Sequence, residues 1–246
     1  MLSLNNDEII EVLKKDKKSI TKDEIHALID PYKWLILMTI IFFISAGRID
    51  IPRAWLFFSI LLIGSMVGSV LVWKFNREVL KHRVDIPKDT KSWDKLFLPI
   101  YFFLTLVITP VIAGLDVGRF YWSNLNISFM IIGIIIIIIS YILILWSMAV
   151  NLHFEGTARI QKDREHQVIR TGPYKMIRHP GYLGMIFGQI ALPFIIGSFF
   201  ALIPAGIAIV AIIIRTFLED KMLQNELDGY SEYAKKVKYR LFPGIL

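Results

Sequence analysis

Residues 127–151 read ISFMIIGIIIIIISYILILWSMAVN, twenty-five positions without a charge, and every residue of 134–139 is isoleucine. A helix rises about 1.5 Å per residue and the hydrocarbon core of a bilayer is about 30 Å thick. The run is therefore long enough to cross a membrane as one helix. Four more uncharged runs lie around it, at residues 34–47, 54–73, 96–115 and 181–214. The last has thirty-four residues, too many for one pass. It is expected to fold back near Gly197-Ser198 as two short helices, with Pro193 and Pro204 as kinks. The fold class is thus an all-α integral membrane protein with about six transmembrane helices. Five is the alternative, because the fourteen-residue run 34–47 is short and could lie in the interface. Composition agrees: 55% of residues are hydrophobic and the mean hydropathy is +0.55, against about 45–50% apolar in soluble domains.

The charges orient this layout. Twenty-five of the twenty-eight Lys and Arg residues fall in 1–33, 74–95, 152–180 and 215–246. Only three fall in 47–53 and 115–126. By the positive-inside rule the basic segments and both termini are cytoplasmic. The net charge of +7 thereby has a membrane explanation. A nucleic-acid partner would need a basic patch on a soluble fold, and none is expected. The absence of cysteine excludes disulfides, thiolate catalysis and cysteine-ligated metal, and no metal site is expected. No secretory signal peptide is read at the polar start. Uncharged spans also argue against an ion pathway.

Three regions follow. Residues 1–30 read as a cytoplasmic helical extension. Ile9, Val12 and Leu13 share one helical face, and Thr21-Lys22-Asp23-Glu24 fits a capping box before a second short helix. This extension reads mainly as a packing element, and a lone His26 as structural. Residues 31–151 hold transmembrane helices 1–4, where Gly64 and Gly68 make a small-xxx-small pattern that is weak evidence for a helix contact. The loop 74–95, with His82, is strongly charged. From 152 to 246 the texture changes: two polar pieces bracket the final hairpin and come together at its base. A cytoplasmic pocket there is the natural place for chemistry.

Two clusters within that region could carry it. In residues 171–184, TGPYKMIRHPGYLG, Pro180 suits the first turn of a helix. His179 and the free amides then sit at a helix start, which favours a carboxylate or phosphate. Tyr174 and Tyr182 add rings and hydroxyls. A plain turn into the membrane, with a snorkelling Arg178 and belt tyrosines, fits these residues equally well. In the second cluster Arg215 and Glu219 are four apart and share a helix face. A surface salt bridge is the usual meaning of that spacing; at a membrane boundary, inward-facing ionisable groups are more often functional.

Residues 152–246 resemble the C-terminal region of the isoprenylcysteine carboxyl methyltransferase family. The likeness rests on His166-Gln167-Val168-Ile169, Gly172-Pro173-Tyr174, Arg178-His179-Pro180-Gly181-Tyr182, Arg215 with Glu219, and the ending from Gly229-Tyr230 through Arg240-Leu241-Phe242-Pro243. It implies S-adenosylmethionine as cofactor, bound by Gln161, His166, Gln167, Val168, Ile169, Tyr174, His179, Pro180, Gly181, Tyr182 and Glu219. It implies Arg215 and Glu219 as the catalytic pair, with Arg215 holding the acceptor carboxylate by a two-pronged contact. The implied acceptor is a hydrophobic or lipidated, prenylcysteine-like carboxylate reaching the site from the bilayer, with His153, Glu155 and Arg159 as candidates for its side. The first four spans share only hydrophobicity with the family. Three alternatives stand beside this reading: an NADPH-dependent membrane reductase of the sterol type, a phospholipid N-methyltransferase, and a non-catalytic membrane scaffold.

Overall fold

The computed structural model describes residues 20–81 and 87–244. The proposed helix at 7–15 and His82 lie outside the described residues. Helices account for the regular structure: α1 (Lys22–Ala46), α2 (Pro52–Phe75), the short α3 (Arg77–Lys81), α4 (Asp94–Phe120), α5 (Ile127–Val150), α6 (Pro180–Ile196), α7 (Leu202–Glu226) and the short α8 (Tyr230–Lys236). No strand occurs among the described residues. Among the described residues five helices, α1, α2, α4, α5 and α7, are long and apolar enough to cross a membrane, and the chain is a multi-pass helical membrane protein.

The capping box forms as read. Thr21 Oγ1 accepts from Glu24 N, and Glu24 accepts from Thr21 N at 2.8 Å. It does not open a separate short helix, however. The helix runs on through Pro31 into the first apolar run, giving twenty-five residues and a length of about 37 Å, enough to span. One proline removes one helix hydrogen bond without ending the helix, because the apolar run beyond it is held by packing. Glu24, buried in that first turn, pairs with Arg77 of α3 at 2.6 Å and ties the start of α1 to the end of α2.

The thirty-four-residue run does fold back at Gly197. Gly197 sits at φ 96°, and a Cβ there would lie 2.4 Å from Arg53 Nη1. Arg53 also donates to Leu125 O and Asn126 O. The turn therefore lies level with the starts of α2 and α5. At seventeen residues, α6 is shorter than the other five, yet it reaches that same end. Asp116 of α4 fastens the turn: its carboxylate accepts from Ser123 N and Oγ, Ser198 Oγ and Phe200 N.

Small residues set the tightest contact, between α5 and α6. A Cβ on Gly184 would lie 2.7 Å from Ile144 Cγ1 and 2.9 Å from Ser140 O, and Ser140 Oγ donates to Gly184 O at 2.7 Å. Gly64 and Gly68 do meet a neighbour: they pack on Tyr141 and Leu145 of α5. Helix α4 takes π-type turns at Leu104–Ile108, just before Pro110. A proline lacks the N–H that would bond the preceding turn, and a π turn absorbs that gap.

Candidate active site

The basic end of the bundle holds a cleft of about 790 Å³, counted with its open mouth. Its walls come from the irregular segment that follows α5, beginning at Asn151, the start of α6, the last turns of α7, and α8. Of the residues expected to hold a cofactor, Gln161, His166, Gln167, Val168, Ile169, Tyr174, His179, Gly181, Tyr182 and Glu219 line this one cleft. Pro180 does not; it is buried as the first residue of α6. Arg215 does not line it either.

One wall is a pair of imidazoles. The His153 and His166 rings lie 4.5 Å apart. Gln167 N donates to His153 Nε2 at 3.2 Å, so the His153 proton sits on Nδ1 and points at Gln161 Oε1, 3.1 Å away. Gln161 N donates to His166 Nδ1, which leaves the His166 proton on Nε2. Burial, followed by the charges of His153, Arg159 and Arg164, pushes the His166 pKa down to about 4. Burial lowers His153 as well. Both rings are neutral near pH 7, and His166 keeps one N–H donor.

The opposite wall is organised by Asp220, a residue that no sequence pattern singles out. Its carboxylate is fully buried. It accepts from Arg178 Nε and Nη2 at 2.7 and 3.0 Å, Tyr230 Oη at 3.1 Å, Arg240 Nε at 2.8 Å and Gln224 Nε2 at 2.7 Å, with His179 Nε2 at 3.3 Å. Arg178 also donates to Val237 O and Lys238 O, while the His179 and Arg178 amides bond to Arg240 O and Tyr239 O. Arg178 is 6% exposed and turned inward. It does not snorkel: a buried acid and the tail carbonyls satisfy it better than lipid headgroups could. Through Asp220 the tail after α8 is locked onto the start of α6.

Between these walls stand Tyr182 and Glu219. The rings of His179 and Tyr182 stack, 5.7 Å apart and 6° from parallel. Tyr182 donates its hydroxyl to Glu219 Oε2. The Arg215 guanidinium lies 5.0 Å over the Tyr182 ring. Arg215 is 2% exposed. Its Nε bonds to Asp94 Oδ1 at 2.5 Å, and its Nη2 reaches Asp94 Oδ2 at 3.2 Å and Gly156 O at 2.6 Å. The edge that would grip a carboxylate with two prongs is thus occupied by Asp94, and Nη1 makes no hydrogen bond among the described residues. Arg215 and Glu219 are not a simple salt bridge: each has its own partner, and Tyr182 joins them.

Of the acceptor-side candidates, Glu155 and Arg159 line the cleft as a closed pair, with Arg159 also bonded to Asp163 and Asp89. Glu155 first, then Asp163, raise the Arg159 pKa. Tyr174, Tyr230 and Tyr233 complete the wall, their hydroxyls held protonated chiefly by burial. Asp94 is invisible to sequence reasoning because nothing marks it among the charges of 74–95. Asp220 is legible only in part: it neighbours Glu219, but one helix step turns it about 100° away, toward a different set of partners.

Residues 132–225 match the isoprenylcysteine carboxyl methyltransferase (ICMT) family. The match runs from within α5 to the last turn of α7, and so takes in every wall of the cleft except Leu227 and the α8 tyrosines. No curated protein matches the chain. The match, within a multi-pass helical bundle, supports a membrane methyltransferase.

Proposed function

We propose that this ICMT-family protein uses S-adenosylmethionine to methylate a carboxylate on a hydrophobic or lipidated, prenylcysteine-like acceptor, at the basic end of the bundle. That end, with both termini, faces the cytoplasm, as the charge distribution favours. The observation that carries the reading is the state of the two acids lining the cleft. Glu155 is held by Arg159, whereas Glu219 makes no ion pair among the described residues and accepts only the Tyr182 hydroxyl. A carboxylate without an ion pair, in a cleft with neutral imidazoles and four tyrosines, suits a cationic ligand that carries a purine.

Bound S-adenosylmethionine would supply a methyl group on a sulfonium, which is both electrophile and built-in leaving group. Glu219 is placed to balance the ligand's positive charge, and Tyr182 holds Glu219 in place. The first amides of α6, beside His179, suit a carboxylate. His166 offers Nε2–H as a neutral donor. Arg215 would meet an acceptor carboxylate through Nη1, with Asp94 and Gly156 O fixing the rest of the guanidinium. An ionised carboxylate needs no general base, so placement and exclusion of water supply the rate. An amine acceptor would need one, with Glu219 or His179 the groups in reach.

Titration of the detergent-solubilised protein with S-adenosylhomocysteine and with NADPH tests this directly. Heat from the homocysteine compound alone is expected. Folded protein that takes NADPH and ignores S-adenosylhomocysteine would be a reductase. Among methylated products, alkali-labile label marks an ester and alkali-stable label an N-methyl group.

A further inference from the structure

A second hollow lies on the outer side of the bundle, between α2 and α5. It is an apolar groove of about 1270 Å³, counted with its open side. It runs from Ile60 to Phe75 on α2 and from Ile138 to Ala149 on α5. The first eight residues of α2 and the first eleven of α5 lie outside it. The groove is therefore confined toward the basic end of the bundle. On α5 its length is about 16 Å, close to the half-thickness of a bilayer core, about 15 Å. Tyr141 packs on Gly64 and donates its hydroxyl to Leu61 O at 3.2 Å, while Leu145 packs on Gly68. The small residues that would let a further helix approach closely are thus already used within the chain. Positive charge stands at the basic end of the groove. The Lys74 ammonium lies 5.5 Å over the Phe75 ring, and Lys74 is exposed and makes no ion pair among the described residues. Trp146, at the same end, meets Gly172, where a Cβ would lie 2.9 Å from the indole Nε1. Gly172 opens the turn that ends at the exposed Lys175.

We infer that the α2–α5 groove binds an anionic membrane lipid, with one acyl chain along the groove and the acidic headgroup against Lys74. A chain from one leaflet matches the groove's depth, and a free ammonium at its end matches an acidic headgroup. Trp146 stands at headgroup level, where tryptophan is favoured. A second copy of the chain is the poorer occupant. A spanning helix would follow the whole length of α2 and α5, and a two-fold contact through this groove would set Lys74 against the Lys74 of the other copy.

Native mass spectrometry of the full chain in detergent, titrated separately with dioleoyl phosphatidylglycerol and dioleoyl phosphatidylcholine, counts bound lipids and copies of the chain at once. Wild type is expected to hold one phosphatidylglycerol per chain about fivefold more tightly than phosphatidylcholine, the ratio that one lysine near an anionic headgroup supplies. Lys74→Gln should bring the two lipids within about twofold of each other and leave phosphatidylcholine affinity unchanged. Val67→Phe narrows the groove from α2 and Ile142→Phe from α5; each should weaken both lipids by about tenfold. Val67 and Ile142 are about half exposed, so both variants should melt within about 2 °C of wild type. Equal retention of the two lipids by wild type overturns the inference, as does an undiminished preference in Lys74→Gln. Wild-type retention in both phenylalanine variants overturns it too. So does a lipid-free dimer that Val67→Phe dissociates, since a second copy would then cover the groove.

Discussion

Asp220→Asn should damage stability and binding together. The substitution keeps the shape of the side chain and removes one negative charge. In the native protein that charge faces Arg178, which is 5% exposed in its side chain, and Arg240, which is 32% exposed. Arg240 can recover solvation; Arg178 cannot, because its remaining bonds are to tail carbonyls that need the same geometry. Removing one partner of a buried pair typically costs about 3–5 kcal/mol. Retention of shape and the partial recovery of Arg240 place Asp220→Asn near the lower end, at about 3 kcal/mol. For a chain of this size that corresponds to a melting temperature lower by roughly 6–12 °C. His179 and Tyr230 both line the cleft and both meet Asp220, so affinity for S-adenosylhomocysteine should fall by about tenfold as well. Gln224→Ala, which removes only one peripheral bond to the same carboxylate, should cost about 1 kcal/mol and leave affinity unchanged. Melting in detergent and calorimetry read both quantities. An Asp220→Asn protein that melts within about 2 °C of wild type and binds normally would show that the cluster is not what joins the tail to the cleft.

Other consequences follow from the same geometry. Glu219→Ala should weaken cofactor binding, whereas Arg215→Ala should reduce acceptor turnover and also stability, because it leaves the buried Asp94 carboxylate without its partner; equal wild-type activity in both would refute the role assignments. Asp94→Asn and Arg215→Gln should be strongly non-additive in stability, with a coupling of about 1–3 kcal/mol, because the single Asp94→Asn change strands a buried guanidinium; an additive double mutant would mean that the pair is idle. The fold holds His166 neutral, with a pKa of about 4 against 6.5. Unfolded chains therefore bind that proton first, and the stability it contributes, up to about 3 kcal/mol, is complete above about pH 6.5 and is lost as the pH falls toward 4. His166→Gln should flatten this part of the melting-temperature profile, and an unchanged slope would contradict the assignment. Gly184→Leu should block the α5–α6 contact, since even a Cβ there would meet Ile144 and Ser140; a wild-type melting curve would refute the packing argument.

Much of this protein is legible in its order of residues because a bilayer imposes a simple rule. A helix without charges over about twenty residues crosses, and Lys and Arg gather on one side. The turn at Gly197, the capping box at Thr21 and the grouping of cofactor candidates are all readable in that way. Residue spacing can also place Arg215 and Glu219 on one helix face. It cannot say what each touches, since contacts across 121 residues, such as Arg215 with Asp94, leave no local pattern. Nor can it show that the helix opened at Thr21 continues through Pro31.

By itself, then, the sequence determined the helical membrane class, the basic end and the likeness of residues 132–225 to the ICMT family. Tertiary structure alone decided which charges are spent on holding the protein together and which are left for a ligand. Arg178 and Asp220 are satisfied internally, and Arg215 is held by Asp94 and Gly156 O, while Glu219 makes no ion pair among the described residues. The physical reason is that a buried polar group is defined by its partners. Those partners come from α4, α6, α7 and the tail, brought together only when the bundle closes.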